Sequence, residues 1–210
     1  MKHDEANVVV DNVLTPEEVL QVVHAVENSH GTDFISVHCQ TNNFIDLPQN
    51  IIDRFTEYAK SISGNNNLVL TEFCHSIYKN REIDGQKFRP SLFPHYDETF
   101  KTPRFTFDYQ LKATLDWPIV VEPDKELILK DNQAATFSGT NQIHWRTPTE
   151  FSDDDSVEMI FCHFSDPLAE PKDARTNQEV KDKALKYGEM FYANGGFSNE
   201  YVEFGRNKNV

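Results

Sequence analysis

Cysteine is scarce: three residues, Cys39, Cys74 and Cys162, scattered over 210 positions. An odd, widely spaced set makes no disulfide framework and no Cys-x-x-Cys pair, so a reducing compartment is expected. Basic residues are also few. Lys and Arg total 20 against 34 Asp and Glu, a formal net charge of −14. A nucleic-acid backbone or an anionic membrane surface needs clustered cations, so neither is expected as a partner. An anionic small molecule needs only one or two well-placed cations and is not excluded. Long apolar runs are missing, which argues against a membrane-spanning helix. Met1-Lys2-His3-Asp4-Glu5 leads into no apolar signal segment, so the chain reads as cytoplasmic. No internal repeat and no low-complexity run is present.

What is abundant is phenylalanine, 16 copies, which suits a β-rich core with large side chains to pack. Val8-Val9-Val10 reads as a short strand. Thr15-Pro16-Glu17-Glu18 reads as a helix start, with a Thr-x-x-Glu capping box and proline in the first turn. Val19, Leu20, Val22, Val23 and Val26 continue it as an apolar face. Asp33 to Cys39 is a candidate strand. A second helix opens at Leu47-Pro48, carries Ile51, Ile52, Phe55, Tyr58 and Ala59, and ends near Gly64. Leu68 to Tyr78 reads as a strand, and Asp84-Gly85 as a turn in the polar stretch that follows. The segments Phe105–Trp117, Pro118–Val121, Glu126–Lys130, Ala134–Phe137, Asn141–Arg146 and Val157–Phe164 are short, β-like and separated by turns. Such a series suggests a sandwich or jelly-roll barrel. The expected class is α+β and mainly β: a double-stranded β-helix of the jelly-roll or cupin type, flanked by N-terminal helices. Asn177 to Phe191 reads as a helix, so residues 167–210 are expected to form a helical extension packed on or covering a barrel domain of residues 1–166.

The chemistry concentrates between Phe93 and Phe164. His95 and Asp97 stand two apart, and on a strand residues i and i+2 share a face. His144 comes back from a distant strand. Two imidazoles and a carboxylate on one side of an ion leave its other positions open, the set associated with non-haem Fe(II) oxygenases. His75 and His163 are rival third ligands, and His163 reads alternatively as lining the pocket. His24, in the first helix, reads as a surface or packing residue, and His30 and His38 as loop or surface residues. If Asn141 to Arg146 is extended, Arg146 shares the face of His144 and reads either as an anchor for an anionic cosubstrate or as a structural salt-bridge residue. Tyr78, Tyr109, Trp117 and Trp145 read either as pocket-lining residues or as core aromatics.

Taken together, these residues resemble the 2-oxoglutarate- and Fe(II)-dependent dioxygenase superfamily, nearest to its prolyl 4-hydroxylase-like branch. Val8–Glu18 is similar to that branch's opening strand and helix, and Pro94-His95-Tyr96-Asp97-Glu98 to its first metal-ligand strand. Phe105–Trp117 resembles the next strand, Phe137–His144 with Gly139 the distal-histidine strand, and Val157–Phe164 the closing strand. The likeness runs from Val8 to Asp166. It implies His95, Asp97 and His144 as catalytic iron ligands, with 2-oxoglutarate as cosubstrate and dioxygen as co-reactant. It implies hydroxylation of a prolyl or other protein side chain, or of a small molecule, with release of succinate and CO2. One departure stands out. The family usually places a Lys or Arg about ten residues after the distal histidine, where this chain has Asp153 to Glu158. Arg146 or Lys112 would have to substitute, and Tyr109 joins them as a candidate cosubstrate contact. Two other readings compete: a non-catalytic cupin-like metal or small-molecule binding protein, and a zinc hydrolase, for which a His-Glu-x-x-His helix is lacking. The sequence leaves the oligomeric state open.

Overall fold

Alternation along the strands divides the molecule into layers. The computed structural model describes residues 7–35, 39–83, 85–97, 104–169, 182–183 and 186–188. In chain order its elements are β1 (Val8–Val10), α1 (Pro16–Glu27), β2 (His30–Ile35), β3 (Gln40–Phe44), α2 (Gln49–Ser63), β4 (Val69–Tyr78), β5 (Arg81–Ile83), β6 (Gln86–Phe88), β7 (Leu92–His95), β8 (Arg104–Ala113), β9 (Ile119–Val121), β10 (Lys125–Leu127), β11 (Gln133–Phe137), β12 (His144–Arg146) and β13 (Val157–Ser165). Seven strands form one sheet in the order β1-β11-β8-β13-β4-β3-β2, and four form a second in the order β10-β9-β12-β7. The β5–β6 pair is a separate hairpin. Every pairing is antiparallel. The mainly β, double-stranded β-helix expectation is met.

The central strand β8 shows how the layers arise. Phe105, Phe107, Tyr109 and Leu111 point to one side and join Val22, Ile51, Phe55 and Ala59 of the two helices in the largest core cluster. Phe55 packs its ring 5.2 Å from that of Phe107 and 5.4 Å from that of Tyr109. The alternate residues Thr106, Asp108 and Gln110 face the other sheet, by the period-2 rule. Between the sheets lie Tyr78, Trp117, Ile119, Val121, Phe137, Val157 and Met159. The outer face of the small sheet carries Val120, Ile143 and Trp145, covered by Tyr96 and Tyr187.

The helices begin and end for local reasons. Thr15 Oγ1 accepts from the Glu18 amide and Glu18 Oε2 from the Thr15 amide, which closes the capping box read from the sequence. Ile51, Phe55 and Ala59, spaced four apart, form the buried stripe of α2, and Gly64 caps that helix at φ 68°. Arg54 reaches Glu18 at 3.0 Å and ties the two helices together. Among the described residues no helix is long and apolar enough to cross a membrane.

Several expected strand boundaries shift, among them Phe105–Trp117, which is instead Arg104–Ala113. The Asp33–Cys39 strand is instead His30–Ile35, and Glu126–Lys130 is instead Lys125–Leu127. Of Asn141–Arg146 only His144–Arg146 is extended, because residues 138 to 142 close a turn: the Gln142 amide donates to the Ser138 carbonyl (2.9 Å), and Gln142 Oε1 accepts from the Ser138 amide (3.1 Å). His38, Asp84 and the tail beyond 188 lie outside the described residues. Of the expected Asn177–Phe191 helix, residues 182–183 and 186–188 are described, and they are helical.

Candidate metal centre

The small sheet brings the two histidines face to face. His144 on β12 is the direct antiparallel partner of His95, the last residue of β7. Their rings lie 4.3 Å apart between centroids. Asp97 stands just past the end of β7, not on it, and its amide donates to the Gly139 carbonyl at 3.0 Å. Its carboxylate turns back so that Oδ1 is 3.0 Å from His144 Nε2. One ligand atom from each of His95, Asp97 and His144 lies within 4.8 Å of the others.

The rings are held from behind. His95 Nδ1 is 2.8 Å from the Phe93 carbonyl and His144 Nδ1 is 3.3 Å from the Gln142 carbonyl. Donation to a backbone carbonyl through Nδ1 offers Nε2 to an ion and fixes the tautomer. Asp97 is held from two further sides. Thr106 Oγ1 donates to its Oδ2, and His163 Nε2 lies 3.6 Å from the same oxygen. Arg104 Nη1 sits 3.0 Å from His163 Nδ1. A guanidinium only donates, so Nδ1 accepts and the ring proton faces Asp97. His163, read from sequence as a rival ligand or a pocket-lining residue, thus stands behind Asp97. His75 is elsewhere, 3.5 Å from Glu158 and 3.3 Å from Asn43.

Charge accumulates in this partly buried corner. Burial raises the Asp97 carboxyl, but His144, His163 and His95 outweigh it and hold it well below the usual carboxylate range. Burial lowers His144, yet the adjacent Asp97 raises it on balance. A carboxylate clasped to an imidazole is the arrangement a divalent cation takes over by displacing the shared proton.

The three cosubstrate candidates part company. Arg146 lies on the His144 face of β12 and is fully enclosed, 1% exposed. Its guanidinium lies 4.7 Å from the Trp117 ring centroid, donates to the Trp117 carbonyl, and meets Met159 Sδ at 3.7 Å. Among the described residues it makes no ion pair, so the structural salt bridge is not what keeps it there. Lys112 is exposed near the end of β8, paired in register with Glu158. Tyr109 is on the opposite face of β8 from Thr106 and Asp108, packed on Phe55, with its hydroxyl 3.2 Å from Asn132 Oδ1. Neither joins the triad; strand alternation turns Tyr109 towards the helices.

No family model matches the chain, and no curated protein sequence is similar to it. Solved structures are similar in fold. The non-haem α-ketoglutarate-dependent carbocyclase SnoK of nogalamycin biosynthesis matches at TM-score 0.60 and 11% identity, over 86% of this chain and 87% of its own. The epimerase SnoN of the same biosynthesis matches at TM-score 0.59 and 14% identity, over 79% and 80%. HygX from Streptomyces hygroscopicus, solved with nickel and 2-oxoglutarate, matches at TM-score 0.56 and 10% identity, over 83% and 90%. This chain has the 2-oxoglutarate oxygenase fold.

Within that oxygenase fold, sequence reasoning missed residues of the interior wall. Asp108 is buried on β8 one alternation beyond Thr106. Burial, then the charge of Asp97, push its carboxyl up to about 8. The signal was available: in Arg104–Ala113 the polar residues Thr106, Asp108 and Gln110 alternate with an apolar face, and a polar stripe aimed at a core has to serve something. Gly139, read from sequence only as part of the distal-histidine segment, proves to make room for Asp97. A Cβ there would fall 1.6 Å from Asp97 Oδ2 and 2.4 Å from Thr106 Oγ1, so the carboxylate occupies the place of a side chain.

Proposed function

We propose that this protein is an Fe(II)- and 2-oxoglutarate-dependent oxygenase that hydroxylates a C–H bond and releases succinate and CO2. The carrying observation is the convergence of His95, Asp97 and His144, with the far nitrogens of both rings tied to backbone carbonyls. Two imidazoles and one carboxylate from one side suit Fe(II) and leave room for a chelating oxo acid and dioxygen. The group, when bound, supplies oxygen activation driven by decarboxylation of the oxo acid. The residues of this chain do the rest. His95, Asp97 and His144 hold the ion, while Thr106 and His163 keep the Asp97 carboxylate turned towards it. Arg146 offers its guanidinium to the remote carboxylate of the cosubstrate from within the barrel, where water does not compete. The apolar layer between the sheets excludes bulk water from the site.

Of the substrate classes open from sequence, a prolyl or other protein side chain and a small molecule, the second has support. SnoN has been solved with nogalamycin RO and HygX with hygromycin B. A reducing, cytoplasmic setting accords with the free thiols of Cys39, Cys74 and Cys162. We take residues 167–210 as an extension that covers part of the barrel, since Lys183 reaches Glu122 at 2.8 Å and Tyr187 packs 5.2 Å from Trp145.

The test is anaerobic addition of Fe(II) and 2-oxoglutarate, followed by oxygen. A weak visible charge-transfer band and then succinate release are expected. Bound iron with neither signal would leave a metal-binding protein without catalysis.

A further inference from the structure

We infer that Arg104 is a positioning residue of the metal centre: it directs the His163 ring N–H onto Asp97 and so leaves one oxygen of that carboxylate for the ion. This rests on the metal centre of the oxygenase reading above and adds a residue that acts through His163.

The register of the large sheet builds the arrangement. Thr106 on β8, His163 on β13 and Glu72 on β4 are direct cross-strand partners, so they form one row on one face. Arg104, two residues before Thr106, shares that face. Its Nη1 reaches both of the outer members, His163 Nδ1 at 3.0 Å and Glu72 Oε2 at 2.9 Å. On the inner side Thr106 Oγ1 donates to Asp97 Oδ2, and His163 Nε2 stands 3.6 Å from the same oxygen. Asp97 Oδ1, 3.0 Å from His144 Nε2, is the oxygen left to the ion.

Glu72 turns the direction of the ring into a contest. Its Oε2 lies 3.6 Å from His163 Nδ1, so two carboxylates flank one imidazole. A neutral imidazole has a single N–H and serves only one of them. Arg104 decides for Asp97. A guanidinium has no lone pair to offer, so the nitrogen it touches must accept, and the N–H stays at Nε2. The same guanidinium pairs with Glu72 and occupies it. Without Arg104, Nδ1 can donate to Glu72, and a bare Nε2 lone pair then faces the Asp97 carboxylate. Asp97 would keep Thr106 as a donor and lose the second one. An ion at the triad disfavours a further positive charge on the ring, so the two neutral forms are the ones that compete.

The test is nitrogen NMR of Zn(II)-loaded protein carrying isotope-labelled histidine, at about pH 8, together with Zn(II) titration against a competing chelator. The His163 signals are those lost in His163→Gln. In the wild type, Nε2 should carry the hydrogen and Nδ1 should be bare. Arg104→Met should move the hydrogen to Nδ1 and weaken Zn(II) by about tenfold, the lower end of what outer partners of a metal ligand contribute. Glu72 is 60% exposed, and Glu72→Met removes only the competing acceptor, so alone it should leave both readings near wild type. Added to Arg104→Met, it should restore most of the affinity. A merely structural Arg104–Glu72 pair predicts otherwise: either single change costs the same, and the second gives nothing back. A wild-type ring with its hydrogen on Nδ1 overturns the inference, and that measurement needs no variant to fold. So does an Arg104→Met protein that keeps wild-type affinity, or one that Glu72→Met does not rescue. In each of these cases the oxygenase reading stands, because the triad still binds its ion. Zn(II) that fails to bind the wild type removes the metal centre, and both readings fall.

Discussion

Gly139 and Asp97 occupy a single volume. The Cβ of an alanine at 139 would lie 1.6 Å from Asp97 Oδ2, and Asp97 is also tied to the Gly139 carbonyl. Gly139→Ala should therefore twist the carboxylate away from the two imidazoles. Disturbing the support of a metal ligand typically costs 10–100-fold in affinity. Titration with Fe(II) or Mn(II) should show a loss of about that size, with the far-ultraviolet circular dichroism retained. An unchanged affinity would remove Asp97 from the ligand set. Asp108 gives a second prediction, for the metal-free protein. Its carboxyl ionises near 3.9 when unfolded and near 8 when folded. Between those values the folded state holds a proton that the unfolded state has lost, so stability falls as pH rises, by up to about 1.4 kcal/mol per unit. His144, whose folded value is raised, adds a loss of the same sign above about 6.5. Above about pH 5.5 Asp97 is ionised in both states and contributes no slope. Urea denaturation should show greater stability at pH 5.5 than at pH 8, and Asp108→Asn should shrink the difference.

At the scale of elements, α2 holds β8 in place through one residue. Phe55 is fully buried and packs on both Phe107 and Tyr109. Phe55→Ala should cost about 3–5 kcal/mol in denaturant unfolding. The triad lies on the far side of the large sheet, so the metal affinity of the folded fraction should change little. Much of this level was legible beforehand. The Thr15 capping box, the Ile51–Phe55–Ala59 stripe and the long β8 and β13 strands carry strong local signals. Asp97 looked like a strand residue because two-residue spacing implies a shared face; in the fold a bond to Gly139 beyond the strand end achieves the same convergence. Arg146 shares the His144 face as alternation implies, although Gln142, two residues the other way, lies in the turn. That turn is closed by the Gln142 side chain, which backbone propensity does not reveal. Tyr109 was legible too: counted from Thr106, an odd position on β8 faces the helices.

On the scale of the whole molecule, two sheets divide the labour. The large sheet, backed by helices, supplies a rigid wall with a polar stripe; the small sheet supplies both imidazoles and the buried guanidinium. The acidic surface plays no part in this, and the single buried cation among the interior wall residues named here is the one that matters for an anionic ligand. Two residues from late in the chain, Lys183 and Tyr187, lie against the outer side of the small sheet. Tyr187 packs at a tilt against Trp145, the neighbour of His144, and Lys183 grips Glu122, whose amide and side chain both bond to Ile143. Trimming the chain after Asp166 would strip a brace from the back of the strand that presents the distal ligand. Such a shortened protein should still fold, because the two larger clusters lose none of their members, yet leak its ion to a competing chelator several-fold faster than the full chain.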